Sequence, residues 1–199
     1  MTPDILLALV GFTLVTSMTP GPNTLMLLAS GANFGLRRSV PHILGIVIGF
    51  PAMVGTVGLG IYGAFDRWPL LHDVLLWASV IYMLWLAWKV AHAAPPPEVS
   101  DGQTGRPLSF LQAAGFQWVN PKAWSMALAS IALYAASREP VAILWVVGAF
   151  AASGVVTTTA WTVLGQTLRR LLSTPHRLRA FNWSMAALLI ASLLPVVLS

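Results

Sequence analysis

The sequence predicts an all-α integral membrane protein with six transmembrane helices, arranged as two inverted-topology three-helix repeats with broken first and fourth helices. Of its 199 residues, 57% are hydrophobic and only 9% are charged, whereas about 25% are charged in an ordinary soluble domain. The few charges stand in short clusters between long apolar runs, as expected where lipid is the solvent. Prolines interrupt two of these runs, one in each half of the chain.

Six apolar stretches come close to the length of about 20 residues that a helix needs to cross the hydrocarbon core. They are approximately residues 5–30, 40–64, 69–91, 108–136, 141–165 and 182–198. The N-terminus has neither a basic segment nor a small-residue cleavage site. We therefore interpret the first stretch as a span rather than as a signal peptide.

The distribution of Lys and Arg predicts the orientation of these spans. Loops after the first, third and fifth spans hold most of the basic residues, and the alternate loops hold few. The first group is Arg37, Arg38, Lys89, Arg106, Arg169, Arg170, Arg177 and Arg179, and the second is Arg67 and Arg138. The positive-inside rule places the first group in the cytoplasm, so both termini are predicted to face outward.

Residues 1–199 are predicted to form one membrane domain built from two halves. The proline-rich stretch 93–107 reads as a cytoplasmic linker between residues 1–92 and 108–199, each of which holds three spans. Because three is an odd number, the second half enters the membrane from the opposite side. This is the arrangement of an inverted repeat.

Two proline motifs interrupt spans near the predicted middle of the membrane. Thr19-Pro20-Gly21-Pro22-Asn23 lies in the first span, and Asn120-Pro121-Lys122 lies in the fourth. Proline lacks a backbone donor and clashes with the preceding turn, so we expect both helices to open and to free carbonyls and amides. A broken helix presents half-helix ends of opposite polarity at one depth, which suits the carboxylate and ammonium of a zwitterion. The alternative is that the prolines only kink the helices.

Lys122 is the only charged side chain placed deep in the predicted spans. An ammonium there costs about 2.5–3.5 kcal/mol, so it should face the bundle interior or water. It either attracts a substrate carboxylate, or moves as an internal counter-charge, or caps a half-helix carbonyl and holds the break open. The predicted substrate-binding and translocation residues are Thr19, Pro20, Gly21, Pro22, Asn23, Gln117, Asn120, Pro121 and Lys122.

Small residues at four-residue spacing predict close helix packing. Gly45 and Gly49 in the second span and Gly148 in the fifth are assigned this role, because small residues let helix backbones approach. Thr157 to Thr159 are candidates either for lining a cavity or for ordinary interhelical bonds. His42 lies close to the cytoplasmic boundary and is interpreted as interfacial.

The composition also excludes several classes of function. The chain has no cysteine, which removes thiolate catalysis, disulfides and Cys-based metal sites; no metal and no cofactor are predicted. Its net charge of +5 does not form a basic stripe, so nucleic acid is not an expected partner. A membrane enzyme is the runner-up, but the motifs of metallohydrolases and serine hydrolases are missing.

Two motifs and the span between them are typical of a known family. The motifs are Thr19 to Asn23 and Asn120-Pro121-Lys122-Ala123, and the span between them is rich in glycine. Over essentially its whole length the chain resembles the LysE/RhtB family of bacterial amino-acid exporters. The resemblance implies a secondary transporter of the bacterial inner membrane that exports amino acids or related metabolites using the proton gradient. In that membrane, the outward-facing termini predicted from Lys and Arg are periplasmic.

One departure from the family bears on the substrate. Some members that handle basic amino acids carry an acidic residue in the membrane, whereas no Asp or Glu here lies deeper than Asp4 and Asp73. This favours a neutral or acidic substrate over a basic one. A passive channel and a membrane scaffold subunit are the alternative functions, and a homodimer through the glycine faces is a further possibility.

Overall fold

The computed structural model describes residues 1–61, 70–93, 105–137, 139–172 and 174–194. Within these ranges every regular element is helical, which confirms the predicted all-α class. Three described stretches, Pro22–Gly60, Asp73–Ala91 and Pro140–Leu168, are long and apolar enough to cross a membrane. Arg67, Arg138, Pro195 and most of the predicted linker lie outside the described residues.

The chain begins with two helices separated by a short interruption. Helix α1 spans Pro3–Met18, and α2 spans Pro22–Thr56 before a π-helical turn over Val57–Ile61. The Thr2 side chain accepts from the Ile5 amide and caps α1, as Thr commonly does at this position. The predicted first span is thus divided at its proline motif.

Helix α2 turns sharply at Gly35, whose φ of 77° is left-handed. The hydroxyls of Ser30 and Ser39 lie 2.7 Å apart, although nine residues of straight helix would rise about 13.5 Å. Therefore α2 consists of two helical segments, residues 22–34 and 36–56, that lie side by side. The loop expected between the first two spans is this single glycine, and Arg37 and Arg38 already belong to the second segment.

The remaining helices are α3 to α7. They span Leu70–Ala91, Phe110–Phe116, Pro121–Tyr134, Pro140–Leu168 and Pro175–Ala191, with a 3₁₀ turn at Gln117–Val119 between α4 and α5. Helix α7 begins earlier than residue 182, because Thr174 caps the Arg177 amide and Pro175 occupies the first turn. Arg177 and Arg179, which were predicted in the preceding loop, therefore lie in the helix.

Helices α2 and α6 form the centre of the fold through very close approach. A Cβ atom on Gly31 would meet the backbone of Thr162, and one on Gly165 would meet the backbone of Leu28. Small residues permit this contact between helix backbones. Other helices pack around the pair in two apolar clusters, one with α3, α4 and α7 and the other with α1 and α5.

The same order of elements occurs twice along the chain. Helix α1, the break, the two segments of α2 and then α3 correspond in order to α4 with its 3₁₀ turn, the break, α5, α6 and α7. Pro22 and Pro121 begin the corresponding helices after each break. In this order Asn23 and Lys122 hold equivalent positions, each directly after its proline.

Candidate functional site

The first break comprises residues 19–21, between α1 and α2. The Thr19 hydroxyl donates back to the carbonyl of Val15, 2.8 Å away, and Pro20 has no amide proton. The Gly21 amide donates to the Thr24 hydroxyl over 2.8 Å, and this hydroxyl donates to the Gly21 carbonyl over 2.9 Å. These local bonds start α2, but they leave the carbonyls of Thr19 and Pro20 free for other partners.

The second break is centred on Asn120, which is 2% exposed. Its side-chain oxygen accepts from the Lys122 amide over 3.1 Å, so Asn120 is the N-cap of α5, and Pro121 follows in the first turn. Asn is a favoured N-cap because its side chain satisfies an amide that the helix leaves unpaired. The helix is therefore interrupted at Asn120 and not only bent.

Lys122 joins the two breaks. Its Nζ donates to the carbonyl of Thr19 over 2.6 Å and lies 3.4 Å from that of Pro20. Gly21 allows this approach, because a Cβ there would stand 2.7 Å from Cδ of Lys122. The lysine therefore caps the carbonyl end of α1, in the other half of the chain and not in its own helix. A cation at the carbonyl end of a helix is stabilising.

Asn23 and Gln117 make the second contact between the breaks. The Asn23 amide nitrogen donates to the Gln117 side-chain oxygen over 2.8 Å, and the Gln117 nitrogen donates to the Asn23 oxygen over 3.1 Å. Gln117 also donates to the Ala113 carbonyl. Two carboxamides paired in this way satisfy each other's hydrogen-bonding groups, so each holds the other in place between the two breaks.

A cavity of about 50 Å³ lies between the breaks and the middle of α2 and α6. Gly21, Asn23, Asn120 and Lys122 line it, and Lys122 is the only charged residue among the described residues that do so. Its remaining polar walls are hydroxyls from three helices: Thr16, Ser17, Thr24, Thr157 and Thr158. This volume holds only a few water molecules, since one needs about 10–15 Å³.

Two of the wall hydroxyls are arranged to accept hydrogen bonds. Thr16 donates to the Phe12 carbonyl over 2.7 Å, and Thr158 donates to the Gly154 carbonyl over 2.6 Å. Because each hydroxyl proton is used within its own helix, the oxygen lone pairs remain to accept from a group in the cavity. Acceptors on the walls and a cation at the break together match the ammonium and carboxylate of a zwitterion.

The structure brings together most of the residues predicted from the sequence, but not all of them face the cavity. Thr19, Pro20, Pro22, Pro121 and Gln117 shape the breaks without lining the cavity. Thr157 and Thr158, which were candidates for a cavity wall, do line it.

The sequence prediction missed several wall residues, among them Thr16, Ser17, Thr24, Phe50 and Met126. The first three are polar residues within about one helical turn of the first break, which is a usable signal. Nothing in the sequence distinguishes Phe50 or Met126 from an ordinary core residue.

The packing glycines divide into two groups. A Cβ on Gly45 would stand 2.5 Å from the Phe110 carbonyl oxygen, and one on Gly49 would stand 2.6 Å from Cα of Ala114. Both therefore lie against α4. Gly148 differs from the expectation, because it lies on an exposed face of α6 where a Cβ would meet nothing within 4 Å.

His42 corrects a further expectation. The histidine interpreted as interfacial is 1% exposed, and neither ring nitrogen has a hydrogen-bond partner among the residues that the structure describes. It lines a second cavity, away from the breaks.

Comparison with known proteins adds independent information. The sequence model of the LysE type translocator family matches residues 14–194. A cysteine/O-acetylserine efflux protein of Klebsiella pneumoniae is 31% identical over 195 residues, which cover 96% of this chain and 95% of that protein. The cysteine/O-acetylserine efflux proteins of Escherichia coli and Shigella sonnei are each 33% identical over 175 residues, covering 86% of this chain and 87% of theirs. No solved structure gives a significant match.

Proposed function

Because the chain belongs to the LysE type translocator family, and is therefore a membrane transporter and not an enzyme, we propose that it exports a small neutral amino acid through the cavity between the two breaks. The observation that carries this proposal is the bond from Lys122 to the carbonyl of Thr19. It connects the ends of two broken helices at a cavity whose walls offer a cation and several acceptors.

We propose that the substrate replaces this bond. Its carboxylate accepts a charge-assisted hydrogen bond from the Lys122 ammonium. Its own ammonium donates to the carbonyls of Thr19 and Pro20, which the lysine no longer contacts. The exchange keeps each group partnered where a free charge would be costly. It also widens the cavity, which in this conformation admits only water.

The substrate class follows from the wall chemistry. A basic side chain would need a carboxylate, and none lines the cavity in the described part of the chain. The wall hydroxyls suit small polar side chains. The relatives are named for cysteine and O-acetylserine, and we propose substrates of this size and polarity.

The two breaks support the inverted repeat with six spans. Asn23 and Lys122 hold equivalent positions, and each contacts a residue at or just before the other break, Asn23 at Gln117 and Lys122 at Thr19. Reciprocal contacts of this kind are expected from two repeats related by a two-fold axis in the membrane plane. In this proposal α1 with residues 22–34 forms one broken span, and the 3₁₀ turn with α4 and α5 forms the other.

We further propose an inner-membrane location with both termini periplasmic, which the distribution of Lys and Arg supports. Coupling to the proton gradient is part of the proposal, since the family resemblance implies it. If coupling exists, export from proteoliposomes will accelerate when a pH gradient is imposed and will lose this acceleration when a protonophore is added. Equal rates in all three conditions would contradict it.

A homodimer would have to use a face that the chain leaves free. Gly45 and Gly49 already lie against α4, whereas Gly148 and Ala152 are both exposed at four-residue spacing on α6. This spacing suits close helix association. Cross-linking in native membranes, with Gly148→Leu as the disrupting variant, tests this part of the proposal.

The transport proposal is tested by counterflow of labelled O-acetylserine, cysteine and lysine in liposomes containing the purified protein. We expect saturable counterflow of the first two and none of lysine. The Lys122→Gln variant should lower the initial rate at least tenfold, whereas Arg179→Gln, which removes an exposed charge from α7, should leave it unchanged. Unsaturable flux without counterflow would indicate a channel, and no flux with folded protein would contradict transport of these solutes.

A further inference from the structure

The second cavity has a volume of about 190 Å³ and is separate from the one at the breaks. It lies between the first half of α2, the end of α3 and the segment Gly105–Leu108 that leads into α4. None of the described residues lines both cavities. On the helix after the first break, Thr24 and Leu27 face the first cavity, whereas Met26 and Ser30 face the second.

Basic groups line this second cavity without a described acidic partner. Lys89, Arg106, His42 and His92 contribute to its walls, and no Asp or Glu does so in the described part of the chain. Lys89 is half-buried, with Nζ 5.2 Å from the ring centre of Trp85. A cleft lined by one sign of charge concentrates counter-ions of the opposite sign.

His42 is the unsatisfied group of this cavity. It is 1% exposed, and both ring nitrogens lack a hydrogen-bond partner within the described part of the chain. Its polar neighbours in the wall are satisfied: Ser30 bonds Ser39 over 2.7 Å, and Asn33 donates to Asn182 over 2.7 Å. A buried polar group without a partner is destabilising, so a ligand that bonds His42 would recover stability.

The walls of the cavity are firmly held. Arg38 donates to the Gly105 carbonyl over 3.2 Å, which ties the segment before α4 to α2. Asn182 donates to the Ala93 carbonyl over 2.8 Å, which ties the end of α3 to α7. Hydrogen bonds between the surrounding elements therefore hold the cavity in shape. Its apolar floor is formed by Met26, Leu86 and Leu108.

We infer that this cavity is a second binding site, for a small carboxylate with a short apolar tail. The carboxylate bonds His42 and is neutralised by Lys89 and Arg106, and the tail lies on the apolar floor. Charge-assisted bonds of this kind are about twice as strong as neutral ones. The site needs no ammonium on its ligand, which distinguishes it from the zwitterion site proposed at the breaks.

The test uses butyrate as the probe and the ring nitrogens of His42 as the reporter. The full chain, labelled with ¹⁵N-histidine, is placed in nanodiscs of zwitterionic lipid, and the His42 signals among four histidines are assigned by their loss in His42→Gln. We expect a saturable shift of these signals with butyrate, and none with butanol or butylamine. The variant with Lys89→Gln and Arg106→Gln should weaken binding at least tenfold, whereas Arg169→Gln should not.

Several outcomes would overturn this inference. They are an unchanged His42 signal at saturating butyrate, an equal response to butanol, or equal affinity in the double variant that retains its fold by thermal melting. A shift caused by anionic lipid but not by butyrate would assign the cavity to lipid. If butyrate binds only after Glu98→Gln and Asp101→Asn, the natural occupant of the cavity would be a carboxylate of the chain itself. Transport is not measured here, so none of these results bears on the proposal for the breaks.

Discussion

At the scale of single residues, the geometry around Lys122 explains how a charged side chain is accommodated inside an apolar bundle. Its ammonium bonds the carbonyl of Thr19, a group that the proline motif leaves without a helical partner. The break thus supplies the acceptor that the lysine needs, and the lysine supplies the donor that the break needs. Each group thus provides the other with a hydrogen-bond partner inside the bundle.

Gly21→Ala tests this arrangement without removing a functional group. A Cβ at this position would stand 2.7 Å from Cδ of Lys122, so the flexible side chain must leave the Thr19 carbonyl. We expect counterflow to fall severalfold while the melting temperature changes little, because the clash is with a side chain and not with backbone. Gly11→Ala in α1 is the matched control, since a Cβ there meets nothing within 4 Å. Equal counterflow in the two variants would contradict the role assigned to the Lys122 position.

The carboxamide pair of Asn23 and Gln117 makes a separate prediction. Removing one partner leaves the other unsatisfied, so Asn23→Ala and Gln117→Ala should each lower the free energy of unfolding by about 1–3 kcal/mol. The double variant should lose less than the sum of the two, with a coupling of about 0.6 kcal/mol, the average for such bonds in membranes. Equilibrium unfolding of all four proteins measures this coupling. Strictly additive losses would mean that the two side chains do not stabilise one another.

At the scale of elements, two glycines determine how the helices meet. Gly35 reverses the chain within α2 with φ 77° and ψ 170°, a conformation that is essentially restricted to glycine. Gly165 allows α6 to approach α2 so closely that a Cβ would meet the Leu28 carbonyl. The turn brings both segments of α2 against one long partner helix, and the close approach holds them there.

Gly165→Ala should therefore destabilise the protein strongly. The added methyl group meets backbone, which cannot move aside as a side chain can, so we expect a loss of about 1–3 kcal/mol, the range for overpacked sites. Gly148→Ala in the same helix is the control and should be neutral or slightly stabilising, because its Cβ points into open space. Thermal unfolding in detergent measures both. Similar melting temperatures for the two variants would contradict the close packing of α2 and α6.

At the scale of the whole molecule, the repeated order of elements makes the two halves comparable position by position. Thr2 and Ser109 are both exposed N-caps, Thr2 on the first helix of one half and Ser109 on the first helix of the other. If the halves are inverted, these two positions lie on opposite sides of the membrane. The contacts between the breaks then place the central cavity where the halves meet.

The absence of cysteine makes this directly measurable. In intact cells we expect a membrane-impermeant maleimide to label Thr2→Cys but not Ser109→Cys, and to label both after the membrane is permeabilised. Cysteine is close in size to both residues, and each replacement costs the stability of one exposed N-cap, about 1 kcal/mol. Labelling of both from outside would rule out the inverted repeat, and labelling of Ser109→Cys alone would reverse the proposed orientation.

The all-helical class and the two breaks follow from the sequence, because apolar run length and proline act locally. Proline removes a donor wherever it stands, so Pro20, Pro22 and Pro121 mark the breaks without any knowledge of the fold. The same local chemistry identified Asn23, Asn120 and Lys122 as residues of interest. The beginning of α7 was also readable from Thr174 and Pro175, although the hydropathy pattern alone placed it later.

Only the tertiary structure decided which of these residues meet. Lys122 bonds the Thr19 carbonyl, and Asn23 pairs with Gln117. Both contacts join residues about a hundred positions apart, and spacing along one helix does not encode such contacts. The same limit explains why the sequence predicts packing for Gly148, a longer loop at Gly35 and an interfacial position for His42. A glycine or histidine has the same local propensity on either face of a helix, and the neighbouring helix alone decides whether that face is buried.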